Sequence, residues 1–152
     1  MDHPEYQIYD KAFTELTPQE LYAIMRLRNE VFVVEQNCVY QDADGKDPFC
    51  HHLLIWDNKT LIAYTRLLPK GLSYDSYMSI GRVVSAPSHR KKGIGRLLMQ
   101  VSIEACYRLF GRDAIRIGAQ LYLKKFYESF GFLQTGDMYL EDNIEHIEMT
   151  KE

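Results

Sequence analysis

The chain has 152 residues and a formal net charge of −3; 46% of its residues are hydrophobic and 26% are charged. This length favours one domain, spanning residues 1–152, with a core large enough to fold without disulfide bonds. The acidic balance argues against a general nucleic-acid-binding protein, for which a broadly basic surface is expected.

The cysteine content and the hydropathy of the chain narrow the class of protein further. The three cysteines Cys38, Cys50 and Cys106 are odd in number and form no Cys-x-x-Cys pair, so neither a disulfide framework nor a metal site is expected. The polar N-terminus lacks a signal-peptide core, and no apolar run approaches the length of a membrane span. We therefore expect a cytoplasmic protein with no membrane partner.

The first third of the chain predicts a strand, a helix and a long loop. Tyr6 to Phe13 mixes aromatic and β-branched residues, which is typical of a strand, here at a sheet edge. Thr17, Pro18 and Glu20 form a helix-start signal with a capping box, and apolar residues then recur at helical spacing to about Phe32. Residues 33–48 carry few regular signals, and long loops often border binding sites.

The rest of the chain predicts strands and two helices. The residue patterns favour a hairpin of 53–56 and 60–68, a strand 80–85, a helix 94–109, a strand 114–119, a helix 121–130 and closing strands 132–140 and 144–150. Gly131 is expected to end the second of these helices as a C-cap. This element order indicates an α/β or α+β domain, in which helices cover a sheet.

The stretch from Arg90 to Arg96 predicts an anion site. Its two glycines let backbone N–H groups turn toward one point at a helix N-terminus, where anions bind. Arg90, Lys91, Lys92 and Arg96 surround that point. A phosphate would supply the missing negative charge, although a solvated basic turn or a nucleic-acid patch is the alternative interpretation. The spacing fits neither a Walker loop nor a dinucleotide fingerprint.

Two motifs in order carry a family resemblance. The Arg90-x-x-Gly93-x-Gly95 spacing after a strand and Pro87 resembles the acyl-CoA pyrophosphate loop of the GNAT superfamily of N-acetyltransferases. Downstream, Gln120 followed by Tyr127-Glu-Ser-Phe-Gly-Phe132 looks like that family's Asn-(x)6-Tyr-Glu-x-x-Gly-Phe segment. Residues 28–36, 44–47, 81–84 and 146–149 are similar to the ElaA-like subgroup.

The resemblance implies a fold and a cofactor. The expected fold is an α/β (α+β) GNAT-like mixed, largely antiparallel twisted sheet of six to seven strands, flanked by about four helices and splayed at a central acyl-CoA cleft. The expected cofactor is acetyl-CoA (coenzyme A). The residues expected to bind it are Val83, Val84, Ser85, Arg90, Lys91, Lys92, Gly93, Ile94, Gly95, Arg96, Gln120 and Tyr127.

The resemblance also implies catalytic roles. Tyr127 matches a tyrosine that protonates the departing coenzyme A thiolate; a phenol with a pKa of about 10 is protonated at neutral pH and can do so. An acceptor ammonium must also lose a proton, and no motif marks the base. Glu35 is our first candidate, with Asp42, Asp47, His51 and His52 as others.

Further charged residues have two possible roles each. Asp42, Asp44 and Asp47 can alternatively attract a cationic amine by their field. Four other side chains either line the acceptor cleft or serve as buried ion-pair partners: Arg28, Arg66, Arg82 and His146.

These expectations combine into one leading function. It is an acetyl-CoA-dependent N-acetyltransferase that acts by direct attack on a primary amine of a small molecule or peptide. The alternative is a non-catalytic acyl-CoA-binding sensor or interaction module. A homodimer is possible by analogy with such folds.

Overall fold

The computed structural model describes residues 5–152, which form a mixed α and β fold. The strands are β1 Tyr6–Ala12, β2 His51–Asp57, β3 Thr60–Leu68, β4 Ser79–Ser85, β5 Ile115–Gln120, β6 Leu133–Gln134, β7 Tyr139–Glu141 and β8 Ile144–Lys151. The helices are α1 Pro18–Arg28, α2 Ile94–Phe110 and α3 Lys124–Glu128. None of the helices within these residues is long and apolar enough to cross a bilayer.

Helix α1 begins as its sequence predicts. The Thr17 hydroxyl accepts from the Glu20 amide at 3.1 Å, and Glu20 Oε1 accepts from the Thr17 amide at 2.8 Å. The expected end near Phe32 is wrong, because the chain continues as a π-helix over Asn29–Glu35. There, the Gln36 amide donates to the Val31 carbonyl at 3.1 Å. Such wide turns occur frequently at functional sites.

The strands form two antiparallel sheets. The first has the order β1-β2-β3-β4, which places β1 at an edge as expected; the second has the order β5-β8-β6, with β7 also paired to β8. The described residues contain eight strands and three α-helices rather than six to seven strands and about four helices. One reason is that residues 132–140 break into β6 and β7 around Gly136 and Asp137, which are poor strand formers.

The two sheets touch where β4 and β5 begin and separate beyond that point. A parallel bridge joins Met78 to Ile115, and the Arg116 amide donates to the Met78 carbonyl at 3.0 Å. Further along, β4 and β5 are the terminal strands of their sheets and face each other across a gap, which we call the β4–β5 cleft. The expected splay is therefore present, and two strand edges with free backbone groups border it.

Helices α1 and α2 pack on β3 and β4 and hold the cleft edge in place. The apolar stripe of α2 buries Leu98 and Ala105, as its spacing predicts. On α1, Ile24 and Leu27 are buried in the same core. A buried hydrogen bond of 2.7 Å between Thr65 and Ser102 also fixes α2 to β3.

A buried ion-pair network ties the irregular loop 36–46 to this core. It contains three arginines, Arg28, Arg66 and Arg82, and three aspartates, Asp42, Asp44 and Asp47. The Arg28 guanidinium, which is 0% exposed, donates to Asp42 and Asp47, each at 2.8 Å. Arg66 binds both Asp44 oxygens, at 2.8 and 2.6 Å. Equal numbers of opposite charges cancel inside the protein.

The arginines lower the pKa values of two of these carboxylates, Asp44 and Asp47. A hydrogen bond from Arg66 holds the pKa of Asp44 well below its usual range. Burial raises the pKa of Asp47, but the hydrogen bond from Arg28 and the charges of Arg28 and Arg66 outweigh it, so this pKa is lowered too. Folding is therefore favoured when both groups are ionised.

We expect the free energy of unfolding to fall in acid. Since the folded pKa values lie below the unfolded value of about 3.9, the stabilisation is complete above it and is lost as the pH drops through the folded values. Urea unfolding at several pH values checks this. Asp44→Asn should show a shallower acid slope than the wild type, and an unchanged slope would contradict the assignment.

Candidate active site

A β-bulge in β4 shapes the edge of the β4–β5 cleft. Tyr64 pairs with Val84 and Arg66 with Gly81, so Arg82 and Val83 together stand opposite Thr65. Arg82 has a φ of 51°, in the left-handed region that side chains rarely adopt. Bulges bend a strand and redirect its groups, and they are common beside active sites.

A cavity of about 550 Å³ lies between β4, the N-terminus of α2 and α3. Eleven of the twelve predicted cofactor-binding residues line it: Val83, Val84, Ser85, Arg90, Lys91, Gly93, Ile94, Gly95, Arg96, Gln120 and Tyr127. Lys92 is exposed and lies outside the lining. The fold thus brings together residues that are distant in the sequence.

The N-terminus of α2 presents free amides to this larger cavity. Gly93 has a φ of 78°, and its carbonyl accepts the first helical hydrogen bond, from Leu97 at 3.1 Å. No side chain caps this end and its first turn has no acidic residue. Uncapped amides beside Lys91 and Arg96 are donors that a phosphate group fits. The anion-loop prediction therefore has the geometry it needs.

Arg90 is already engaged by a carboxylate. Its guanidinium donates to the two oxygens of Glu35 at 2.6 and 2.7 Å and also to the Ser85 carbonyl at 3.2 Å. The Arg90 hydrogen bond lowers the pKa of Glu35. Glu35 lines the larger cavity, and both its oxygens accept from Arg90, so the geometry weighs against our first choice for the base.

Tyr127 stands where the larger cavity meets a second one. Gly131, with a φ of 96°, ends α3 in a Schellman motif: the Gly131 amide donates to Glu128 and the Phe132 amide to Tyr127. The Tyr127 ring, 5% exposed, packs edge-on against Phe126 and Phe132. The helix end predicted from the sequence therefore also fixes the ring.

The Tyr127 hydroxyl is a proton donor without a partner among residues 5–152. The ring lines both cavities. Burial raises the pKa of Tyr127, so its phenol stays protonated at neutral pH. A protonated, unpartnered hydroxyl on a residue that lines both cavities is available to a ligand.

The smaller cavity, of about 140 Å³, lies on the other side of this junction. Phe32 of the π-helix and Gln36, which directly follows it, line both cavities. Around the smaller one stand the charged or titratable side chains Cys38, Tyr40, Arg82, Tyr127, Glu141, Asp142 and His146. The π-helix, the β4 bulge and the β7–β8 turn thus converge there.

The other base candidates lie outside this arrangement. Asp42 and Asp47 are paired with buried arginines. The His52 ring accepts from Tyr64 and donates to the Asp47 carbonyl, which occupies both ring nitrogens, and burial lowers its pKa. His51 packs against Phe110, away from both cavities. None of these side chains lines either cavity.

The four side chains expected either to line the acceptor cleft or to form buried ion pairs fall into two groups. Arg28 and Arg66 are buried ion-pair partners, whereas Arg82 pairs with Asp42 and also lines the smaller cavity. His146 lines the smaller cavity, and sequence reasoning gave it no catalytic role. Its only signal was its place in a subgroup motif, since it lies on a closing strand far along the chain from Tyr40 and Arg82.

Comparisons with known proteins show which family the chain belongs to. Residues 13–152 match the acetyltransferase (GNAT) domain family. The chain is 41% identical to the protein ElaA of Escherichia coli (strain K12) over 145 residues, 94% of each chain. The crystal structure of Escherichia coli ElaA superposes with a TM-score of 0.90, at 40% identity over 97% of this chain and 99% of that one.

A further solved structure extends the match. An acyl-CoA N-acyltransferase from Pseudomonas aeruginosa has a TM-score of 0.92 and 40% identity, over 97% of this chain and 99% of that one. The splayed mixed fold and the resemblance stated from sequence motifs are thereby confirmed. The chain belongs to the GNAT acetyltransferase family and is a relative of ElaA.

Proposed function

We propose that this protein transfers an acetyl group from acetyl-CoA to a primary amine. One observation carries the proposal: two cavities on the β4–β5 cleft share Tyr127 in their lining. The larger one has the phosphate donor set, and the smaller one has titratable side chains. A donor and an acceptor could therefore meet at a protonated phenol.

The larger cavity suits the phosphate and pantetheine parts of coenzyme A. The uncapped α2 amides with Lys91 and Arg96 would hold phosphate oxygens. The edge of β4 at Val83, Val84 and Ser85 would pair with the pantetheine amides, as a peptide adds to a sheet edge. When bound, acetyl-CoA supplies an activated thioester carbonyl.

Tyr127 would give its proton to the departing sulfur. Burial disfavours a thiolate as well as a phenolate, so the sulfur also becomes more basic in this cavity. The backbone N–H groups of the β4 bulge would stabilise the carbonyl oxygen as it gains charge. Direct attack by the amine needs no covalent acyl-enzyme.

Calorimetric titration with acetyl-CoA, followed by thiol release with a panel of primary amines, tests the function. The panel contains polyamines, aminoglycosides, amino acids and lysine peptides. Binding with amine-dependent thiol release supports an N-acetyltransferase. Binding without release from any amine supports the acyl-CoA sensor, and absence of binding contradicts both.

A glycine substitution tests the phosphate site. Gly93→Val should weaken acetyl-CoA binding by about tenfold or more, because a β-branched residue at positive φ costs roughly 1–2 kcal/mol and displaces the amides. Gly71→Val is the matched control: Gly71 also has a positive φ and open space around it, but lies outside both cavities. Equal affinities of the two variants would contradict the site.

The setting of this reaction is also a proposal. The cysteines Cys38, Cys50 and Cys106 are free thiols, which suits a reducing cytoplasm. The narrow smaller cavity suits the amine end of a small molecule or an extended peptide side chain. Homodimer formation stays a prediction, which analytical ultracentrifugation can test.

A further inference from the structure

We propose that His146 Nε2 accepts the proton that the acceptor ammonium must lose before it attacks, an inference that rests on the proposed acetyl transfer. His146 is 8% exposed and lines the smaller cavity together with Tyr127. The two side chains would act on opposite ends of the reaction, one on nitrogen and one on sulfur.

The hydrogen bonding of His146 fixes which ring nitrogen is basic. Nδ1 lies 2.8 Å from the carbonyl oxygen of Ile144. Because a carbonyl can only accept, Nδ1 carries the hydrogen and Nε2 keeps a lone pair in the neutral ring. The nearest carboxylate oxygen, Glu141 Oε2, is 3.6 Å from Nε2, too far for a strong hydrogen bond. The lone pair is therefore available.

Neighbouring strands hold the His146 ring in this orientation. Tyr139 is its cross-strand partner, and the two rings stack at 5.8 Å with an interplanar angle of 28°. Gly118 makes room for the tyrosine, since a Cβ there would lie 2.8 Å from the Tyr139 hydroxyl oxygen. On the other side, His146 pairs with Gln120, which lines both cavities, so their side chains share a face.

The charges around the ring favour a cationic acceptor. Arg82 lines the same cavity, but its guanidinium lies 2.8 Å from an Asp42 oxygen and donates to the Asp42 carbonyl at 2.9 Å. Glu141 and Asp142 are exposed carboxylates of the lining. Cys38, Tyr40 and Tyr127 are the remaining titratable members, and burial with the Asp42 hydrogen bond raises the pKa of Tyr40. An ammonium group in this cavity therefore meets two exposed carboxylates.

The proton balance of the reaction closes with these two residues. His146 Nε2 takes one proton from the ammonium, which leaves a lone pair on nitrogen. That pair forms the C–N bond, the C–S bond breaks, and its electrons go to sulfur. Tyr127 protonates the sulfur, and the second proton lost by nitrogen restores the phenol through solvent. The imidazolium then releases the first proton to solvent.

His146→Gln tests the inference, with His51→Gln as the matched control because His51 lies outside both cavities. At about pH 7 the first variant should lose about 100-fold in kcat/KM for the best amine of the panel. Its rate should then climb with pH up to the pKa of the amine, since solvent now removes the proton, whereas the wild-type rate should depend less steeply on pH below that pKa. Calorimetric binding of acetyl-CoA by the variant shows that it is folded.

The possible outcomes separate this inference from the proposed function. If the wild type is active and His146→Gln has the same rate, His146 is not the base, but the proposed acetyl transfer is unaffected. A loss of kcat/KM in His146→Gln that is the same at every pH also contradicts the assignment of His146 as the base. Such a loss indicates a structural defect, because a higher fraction of neutral amine does not repair it. If the wild type binds acetyl-CoA but releases no thiol with any amine, both proposals fall. Glu141→Gln should not reproduce the steep pH dependence of His146→Gln; a profile like that of His146→Gln would transfer the role to Glu141.

Discussion

Tyr127→Phe is expected to lower kcat by about 100-fold or more while acetyl-CoA binds as tightly as before. The phenylalanine ring preserves the edge-on contacts with Phe126 and Phe132, so only the hydroxyl is removed. Without its proton, the sulfur must leave as a charged thiolate in a buried cavity, which is unfavourable. Steady-state kinetics combined with calorimetric titration measures both quantities.

Tyr107→Phe is the matched control for this prediction. Like Tyr127, Tyr107 packs against the core, but it is only half-buried and lies on α2 outside both cavities. Its kcat should equal that of the wild type. A Tyr127→Phe variant with wild-type kcat would remove the proton-donor assignment, and one with weaker acetyl-CoA affinity alone would make Tyr127 a binding residue.

Arg28→Met should destabilise the protein by about 3–5 kcal/mol. Methionine fills most of the volume of arginine, but Asp42 and Asp47 are left buried with fewer cationic partners. Burial of such a carboxylate disfavours its charge and costs free energy. Urea or guanidinium unfolding followed by circular dichroism gives the change directly.

An exposed arginine supplies the comparison. Arg108 pairs with Asp10 at 2.7 Å, but 60% of its side chain is exposed, and such surface pairs contribute about 0–1 kcal/mol. Arg108→Met should therefore unfold close to the wild type. If the two variants unfolded alike, the ion-pair network around Arg28 would not be the structural anchor that its burial indicates.

The network around Arg28 also bears on the site. Asp42 contacts both Arg28 and Arg82, and Arg82 occupies the left-handed position of the β4 bulge. The same aspartate accepts from the Tyr40 hydroxyl at 2.7 Å, and Tyr40 lines the smaller cavity. The loop 36–46 and the cleft edge are thus stabilised by one set of charges. Arg28→Met should consequently reduce activity through the geometry of the cleft.

The sequence determined the features that arise from neighbouring residues. The capping box at Thr17, the glycine turn before α2 and the Gly131 helix end each depend on hydrogen bonds within a few residues, so their local patterns predict them. The apolar periodicity of α2 is a short-range property of the same kind. These signals, with their order, also sufficed to identify the family.

Tertiary structure decided everything that depends on contacts between distant segments. The Arg90–Glu35 pair joins residues 55 positions apart, and it turned our favoured base into an ion-pair partner in the larger cavity. From the sequence, the aspartates of loop 36–46 could attract a cationic amine by their charge. In the structure they form ion pairs with Arg28, Arg66 and Arg82. Local sequence patterns do not predict ion pairs between residues that are distant in the chain.

His146 is a residue whose candidate role the local sequence did not indicate. In the sequence it is one histidine in a closing strand, with nothing nearby to indicate its tautomer or its surroundings. The pairing of β8 with β5 and β7 places it beside Gln120 and Tyr139, and the splay of β4 from β5 opens the cavity it faces. The cavity that the ring faces follows from strand register, because register decides which side chains share a face. The carbonyl that fixes the tautomer, that of Ile144, lies two residues away on the same strand.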